Sequence, residues 1–267
     1  MDCGEGTVPA LHTALGPQQA TVALHTLAAV FVSHRHADHC LGVLSVLHHR
    51  RDHLPPLLAA VPTTVQTWLE EAHPHLMPRV RFVHCSNFSG GHYAVGRMCS
   101  GEDSMMAAGF TAWVCPRARH CHDAFGIVLE HRQGWKLVFS GDTQPSAALV
   151  RLGAGATVLI HECTFGDDRE RDAAAKRHST LGQALQVGEQ MRAWRVLLTH
   201  FSQRFGGYAP ALWHNGRPIG HCPAAERASP VFDGMLVPFP ALHALPAVAK
   251  AMTGTVAVAP DVAATEE

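Results

Sequence analysis

What this chain of 267 residues lacks narrows its class before any motif is considered. No apolar run approaches the roughly 20 residues needed to cross a bilayer. The longest, such as Leu27 to Val32 and Thr157 to Ile160, are short and end in polar residues, so a membrane-spanning role is excluded. The start, MDCGEGTVPA, has neither the basic cluster and apolar stretch of a secretory signal nor the Arg-rich amphipathic pattern of a transit peptide, and it carries no readable address. Eight cysteines are scattered from Cys3 to Cys222 with no C-x-x-C pair, which points to reduced intracellular thiols rather than a disulfide framework. Charge of one sign is also missing. With 21 Lys and Arg against 22 Asp and Glu, the basic residues are scattered and no track for a polyanion stands out, which argues against a stand-alone RNA binder.

What is present is a 47% hydrophobic composition, ample for a sizeable core, and 21 histidines, a side chain that both binds metals and titrates near neutrality. Apolar, β-branched runs predict strands at Leu27–Ser33, Leu57–Val61, Val80–Val83, Ile127–Glu130, Lys136–Ser140, Thr157–Ile160 and Arg195–Thr199. Start signals and apolar spacing of three and four predict helices at Thr63–Glu71, Ser146–Leu152 and Thr180–Arg192. Alternating strands and helices indicate an α/β domain. Ser86–Asp103 and Tyr208–Arg227 are expected as long loops, residues 1–252 as the folded domain, and 253–267 as a disordered tail.

The chemistry concentrates in FVSHRHADHCLG, where a strand ending at Ser33 delivers His34, His36, Asp38 and His39 within six residues. In an extended turn His34 and His36 can face one ion, while Asp38 and His39 at a helix start can face a second. Imidazole nitrogen and carboxylate oxygen both suit Zn²⁺. Ordered behind this segment come RHCHDAFG with His120, SGDT with Asp142 and LLTHFS with His200, the last two at the ends of predicted strands.

In that order, and with DCGEGT placing Asp2 ahead of them, these motifs resemble the metallo-β-lactamase superfamily. The resemblance implies that His34, His36 and His120 hold one Zn²⁺ and that Asp38, His39 and His200 hold another, with Asp142 bridging them. It selects His120 over the neighbouring His122 as ligand, since the family places that ligand four residues before the Ala of A-F-G, here Ala124. Two further segments, His161-Glu162-Cys163-Thr164 and His178-Ser179-Thr180, look like the HEAT and HST loops that mark the ribonuclease Z family of tRNA 3′-end processing endonucleases. Cys163 stands where that motif has Ala. On their own these residues fit a loop carboxylate and a helix N-terminus equally well. The long eukaryotic form is resembled over about Met1 to Phe205, and faintly again in VFDGMLVPFP.

What the resemblance implies is an αβ/βα sandwich lacking its first strands, two Zn²⁺ with Mn²⁺ as the alternative, and precursor tRNA as substrate. Asp38 would accept a proton from the attacking water, and His178, oriented by Glu162, would protonate the leaving oxygen. The family's strands before DCGEGT, its P-x-K-x-R-N loop and its amino-terminal half with a tRNA-gripping arm have no counterpart here, so a missing half or a partner subunit is expected to supply most of the RNA affinity. The compartment implied is the nucleus, the mitochondrion or both. Two rival classes stay open at this stage: another hydrolase of the superfamily, acting on a thioester, lactam or cyclic nucleotide, and a non-catalytic fragment.

Overall fold

The second of the predicted strands shows why the chain layers as it does. The structure, a computed structural model, describes residues 1–88, 93–94, 105, 108–202, 212–214, 217–218 and 222–255. Strands β1 (Ala29–Phe31), β2 (Leu57–Val61) and β3 (Val80–His84) form a parallel sheet in that order. All five residues of β2 are buried, because its two faces serve two cores. Leu57, Ala59 and Val61 join Val8, Leu24, Val43, Leu47 and Leu69 in an outer core. These partners come from helices α1 (Thr7–Leu15), α2 (Pro17–Thr26), α4 (Gly42–His49) and α5 (Thr63–Ala72), with the single turn α3 (Ala37–Cys40) preceding α4. Leu58 and Ala60 point the other way and meet Trp113, Phe125 and Ile127 of a second sheet. A sheet covered on both sides reads as a continuous apolar run, as LLAAV does.

The second sheet comprises β4 (Tyr93–Ala94), β5 (Phe110–Val114), β6 (Ile127–His131), β7 (Lys136–Phe139), β8 (Val158–Glu162), β9 (Arg195–Thr199) and β12 (Ala228–Pro230). Its order is β12-β9-β8-β7-β6-β5-β4, antiparallel from β4 to β7 and parallel from β7 to β12. A small ladder, β10 (Trp213–His214) with β11 (Arg217–Pro218), stands apart. On the outer face Val138, Leu159 and Val196 pack with Leu149 of α6 (Ala147–Leu152) and Leu185 and Met191 of α8 (Leu181–Met191). Truncating a fully buried side chain such as Leu185 to Ala costs about 2–5 kcal/mol. Helix α7 (Glu170–Lys176) leads into the His178 loop, and α9 (Leu245–Thr255) supplies Leu245, which with Leu242 covers Val158 and Leu197. The result is the expected sandwich: helices, sheet, sheet, helices.

Every strand and helix predicted from the sequence is present, with ends shifted by a residue or two. Helices α1, α2, α7 and α9 and strands β5 and β12 were not anticipated. Their apolar spacing is broken by His, Gln, Pro and Ala, and tertiary contact rather than local pattern settles them. The two expected loops hold short regular pieces, β4 in one and β10, β11 and a 3₁₀ turn at Pro223–Arg227 in the other; the rest of Ser86–Asp103 and Tyr208–Arg227 lies mostly outside the described residues. Helix α9 runs to Thr255, into the segment expected as a tail, and residues 256–267 lie outside the described residues.

Parallel β1, β7, β8 and β9 end at one edge of the sandwich. Ser33, Asp142, Glu162 and His200 all lie at those ends, the usual place for a site in an α/β sheet.

Candidate metal centre

Asp142 sits at the middle of this edge. Gly141 before it is left-handed (φ +56°), and a Cβ there would meet Ser33 Cβ at 2.8 Å and Phe125 O at 2.9 Å, so only glycine lets β7 end this close to β1. From its buried carboxylate, Oδ2 lies 3.7 Å from His34 Nε2, 3.9 Å from His120 Nε2, 3.4 Å from His39 Nε2 and 3.5 Å from His200 Nε2. On one side His36 Nδ1 lies 2.8 Å from His34 Nε2 and 3.3 Å from His120 Nε2. On the other, Asp38 Oδ2 lies 3.3 Å from His39 Nε2 and 3.8 Å from His200 Nε2. All seven residues singled out from the sequence as ligands therefore converge, and His122 stays exposed outside the cluster.

The outer nitrogens decide which tautomers the cluster contains. Ser33 Oγ donates to Asp2 Oδ2 at 2.8 Å and so accepts from His34 Nδ1 at 3.0 Å. His39 Nδ1 donates to the same Asp2 oxygen at 2.6 Å. His120 Nδ1 donates to the carbonyl of Arg177 at 3.0 Å. Thr164 Oγ1, whose proton goes to Glu162 Oε2 at 2.6 Å, accepts from His200 Nδ1 at 2.8 Å. Four imidazoles thus make their outer hydrogen bond through Nδ1 and turn Nε2 inward, the orientation that supporting groups impose on metal-binding histidines.

That leaves an electrostatic imbalance. The three facing nitrogens of His34, His36 and His120 share at most one proton, and Nε2 of His39 and of His200 face two carboxylates whose charge a proton or a metal ion must balance. Burial pushes the His34 imidazole down to about 3, reinforced by His39, so it stays neutral. Burial also opposes ionisation of Asp142, yet hydrogen bonding to His39 and the charges of His200 and His39 hold its carboxyl below the usual range. Against burial, Asp142 and Asp2 lift His39 to about 10, while a hydrogen bond to His200 lowers Asp38 to about 2. Carboxylates that draw protons onto neighbouring imidazoles are carboxylates a divalent cation can neutralise in their place, and the nitrogen and oxygen donor set fits zinc.

Glu162 is buried at the end of β8 and accepts five hydrogen bonds: from Thr143 N, Thr164 N, Thr164 Oγ1, Ser179 N and, at 2.9 Å, His178 Nδ1. It ties the Asp142 and His178 loops together. His178 lies over the cluster, with Nδ1 4.0 Å from Asp142 Oδ2 and its ring centre 4.6 Å from that of His120. Thr180, beyond it, is the N-cap of α8 in a capping box with Gln183.

The sequence reading missed three kinds of participant. Ser33 and Thr164 orient ligands, and a hydroxyl residue beside a ligand is the signal that could have found them. Gly4 and Gly42 are a second kind: a Cβ on Gly42 would meet Gly4 O at 1.9 Å, so DCGEG presses against the helix start that carries Asp38 and His39. Finally, exposed cations stand directly beside ligand-bearing positions: Arg35 between His34 and His36, Arg119 before His120, and Lys176 with Arg177 before His178. The basic residues scattered along the chain include these neighbours of ligand-bearing positions. Asp2, Arg177 and His200 also have left-handed backbones (φ 50°, 59° and 60°), three of five such non-glycine residues among those described.

Comparison with known proteins agrees with this geometry. Residues 1–201 match the model of the Beta-lactamase superfamily domain. The chain is 41% identical over 219 residues to Zinc phosphodiesterase ELAC protein 2 of Macaca fascicularis, covering 77% of this chain and 26% of that protein. It is 37% identical over 213 residues to Ribonuclease Z, mitochondrial, of Drosophila melanogaster, covering 77% of this chain and 27% of that protein. The crystal structure of a long form RNase Z from yeast superposes with a TM-score of 0.72 at 24% identity, covering 94% of this chain and 38% of that one. The chain thus spans about a quarter of the length of these curated relatives.

Proposed function

The chain belongs to the beta-lactamase superfamily, and from that premise we propose that it is a metal-dependent phosphodiesterase of the ribonuclease Z type, cutting the 3′ trailer from precursor tRNA. The observation that carries this reading is the Glu162–His178 pair, 2.9 Å apart and seated against a cluster whose two halves share Asp142. A metal hydrolase of any substrate needs the cluster; a leaving group of high basicity needs the pair as well.

His34, His36 and His120 would hold one Zn²⁺ and Asp38, His39 and His200 the other, with Asp142 between them and Mn²⁺ as the alternative ion. Two such ions lower the pKa of a water and stabilise the attacking and leaving oxygens of an in-line displacement. Asp38 is the carboxylate to receive that water's proton, because its side chain is 69% exposed and one oxygen remains free to face solvent. His178 gives its Nδ1 proton to Glu162, which fixes the ring and leaves Nε2 as the atom to protonate the departing 3′-oxygen. The products are a tRNA ending in a 3′-hydroxyl and a trailer with a 5′-phosphate. Arg35, Arg119 and Lys176, exposed and next to residues of the proposed site, would take phosphates flanking the scissile one. These few cations do not orient a whole tRNA, so most of the affinity comes from a region outside these residues or from a partner subunit. No helix among the described residues is long and apolar enough to cross a membrane; the mitochondrion, named for one relative above, and the nucleus are the compartments proposed.

The test is cleavage of labelled precursor tRNA by the purified chain with Zn²⁺ or Mn²⁺, beside a lactam and a thioester. RNA cleavage to a 3′-hydroxyl alone is expected. Turnover of the lactam or thioester without RNA cleavage overturns the reading. In His178→Ala the RNA rate should drop about 10²–10⁴-fold with metal content unchanged. Loss of metal in that variant would move His178 into the ligand set.

A further inference from the structure

Beside His120 stands a thiol that the ligand set above leaves out. Of the seven described cysteines, Cys3, Cys40, Cys85, Cys115 and Cys163 are buried, and only Cys121 and Cys222 are partly open to solvent. Cys121 Sγ and the donor nitrogens of His34, His36 and His120 all lie within 4.8 Å of one another. Donors around one zinc, at about 2.0–2.1 Å for nitrogen and about 2.3 Å for sulfur, stand roughly 3.3–3.8 Å apart. The three nitrogens already sit at 2.8 and 3.3 Å, and a half-exposed cysteine has the rotamer freedom to bring its sulfur in.

We propose that Cys121 is a further, thiolate ligand to the ion held by His34, His36 and His120, and that it makes this half of the centre selective for soft over hard cations. The proposal rests on the metal-centre reading above. Its physical basis is charge and softness. Three neutral imidazoles leave both charges of a divalent ion uncompensated, and the carboxylate of Asp142 is shared with the other half. A thiolate on the near side supplies the missing negative charge, and thiolates favour Zn²⁺ and Cd²⁺ over Mn²⁺ and Mg²⁺. On coordination the S–H bond breaks, its proton leaves to solvent, and the sulfur lone pair forms the metal–sulfur bond; no electron changes hands. Among the described residues, the half beside the exposed Asp38 carries no such thiol and is the more open to water and substrate.

Loading the protein with Co²⁺ tests this through absorption rather than turnover. A thiolate-to-cobalt charge-transfer band in the near ultraviolet is expected. It should vanish in Cys121→Ser while the visible ligand-field bands and the cobalt content persist, and the preference for Zn²⁺ over Mn²⁺ should fall about 10–100-fold, the scale of losing one well-placed group at a metal site. A second measurement needs no variant. Alkylation of Cys121 by iodoacetamide, located by mass spectrometry, should be blocked by bound metal and restored by a chelator. Cobalt bound with no thiolate band, a band that survives Cys121→Ser, or alkylation at the same rate with and without metal each overturns the proposal while leaving the metal centre standing. Folded protein that takes up no cobalt at all removes both.

Discussion

The two halves of the proposed centre differ in how far they stand from solvent. On one side of Asp142, His34 and His120 are buried and His36 is exposed; on the other, His39 is buried, while the side chain of His200 is 30% exposed and that of Asp38 69%. The same ligand chemistry in two such settings would hold two ions differently. Where water is excluded, attraction between donors and cation is strongest and exchange slowest. Where a ligand reaches into solvent, the ion can change its partners and meet a phosphate. On the proposed reading, the half that carries Asp38 is the better placed to meet a phosphate.

The strongest way to break that contrast is to remove the one carboxylate common to both halves. Asp142→Ala should drop metal content below two ions per chain and cut turnover on precursor tRNA by about 10²–10³-fold or more, the scale of one lost electrostatic stabiliser. Two ions retained, by metal analysis of the folded variant, would show that Asp142 does not join the halves. A finer contrast comes from the orienting hydroxyls. Ser33→Ala frees Nδ1 of His34, and Thr164→Val frees Nδ1 of His200. Each should weaken one ion by about 10–100-fold, that of His34 in the first variant and that of His200 in the second. Competition with a graded series of chelators reads this directly, and equal weakening of both ions by either change would erase the distinction. The smallest effect concerns the rim. Arg35→Ala and Arg119→Ala should each lower the slope of log affinity for precursor tRNA against log salt by about 1, leaving metal content alone. An unchanged slope in both variants means that these cations touch no phosphate.

Much of this was legible in the sequence because the site is built from segments that also punctuate the fold. His34, Asp142 and His200 each follow an apolar run that could only be a strand, so finding the strand located the ligand. Glu162 and His178 were weaker signals. Apart from the family resemblance, a carboxylate after a strand and a histidine before a helix fit ordinary structure, and only the 2.9 Å contact between them separates the two readings. Thr164 and Ser33 stayed hidden because a hydroxyl gains meaning from what it touches. The arginines stayed hidden for a related reason: charge counted over a whole chain says nothing of which residues it flanks. Helices α1 and α2 were missed because their apolar positions, Val8, Ala20 and Leu24 among them, are too sparse to show a period.

The left-handed backbones at Asp2, Arg177 and His200 bear on how such a site can evolve. A non-glycine residue held there costs of order 1 kcal/mol. Glycine at position 177 would relieve that cost and remove a cation beside His178, and at 200 it would delete a ligand. Selection for thermal stability and selection for catalysis therefore pull these positions in opposite directions. Lineages that relax the second demand should drift first toward glycine or asparagine here, while the cores around Leu159 and Leu57 stay as they are.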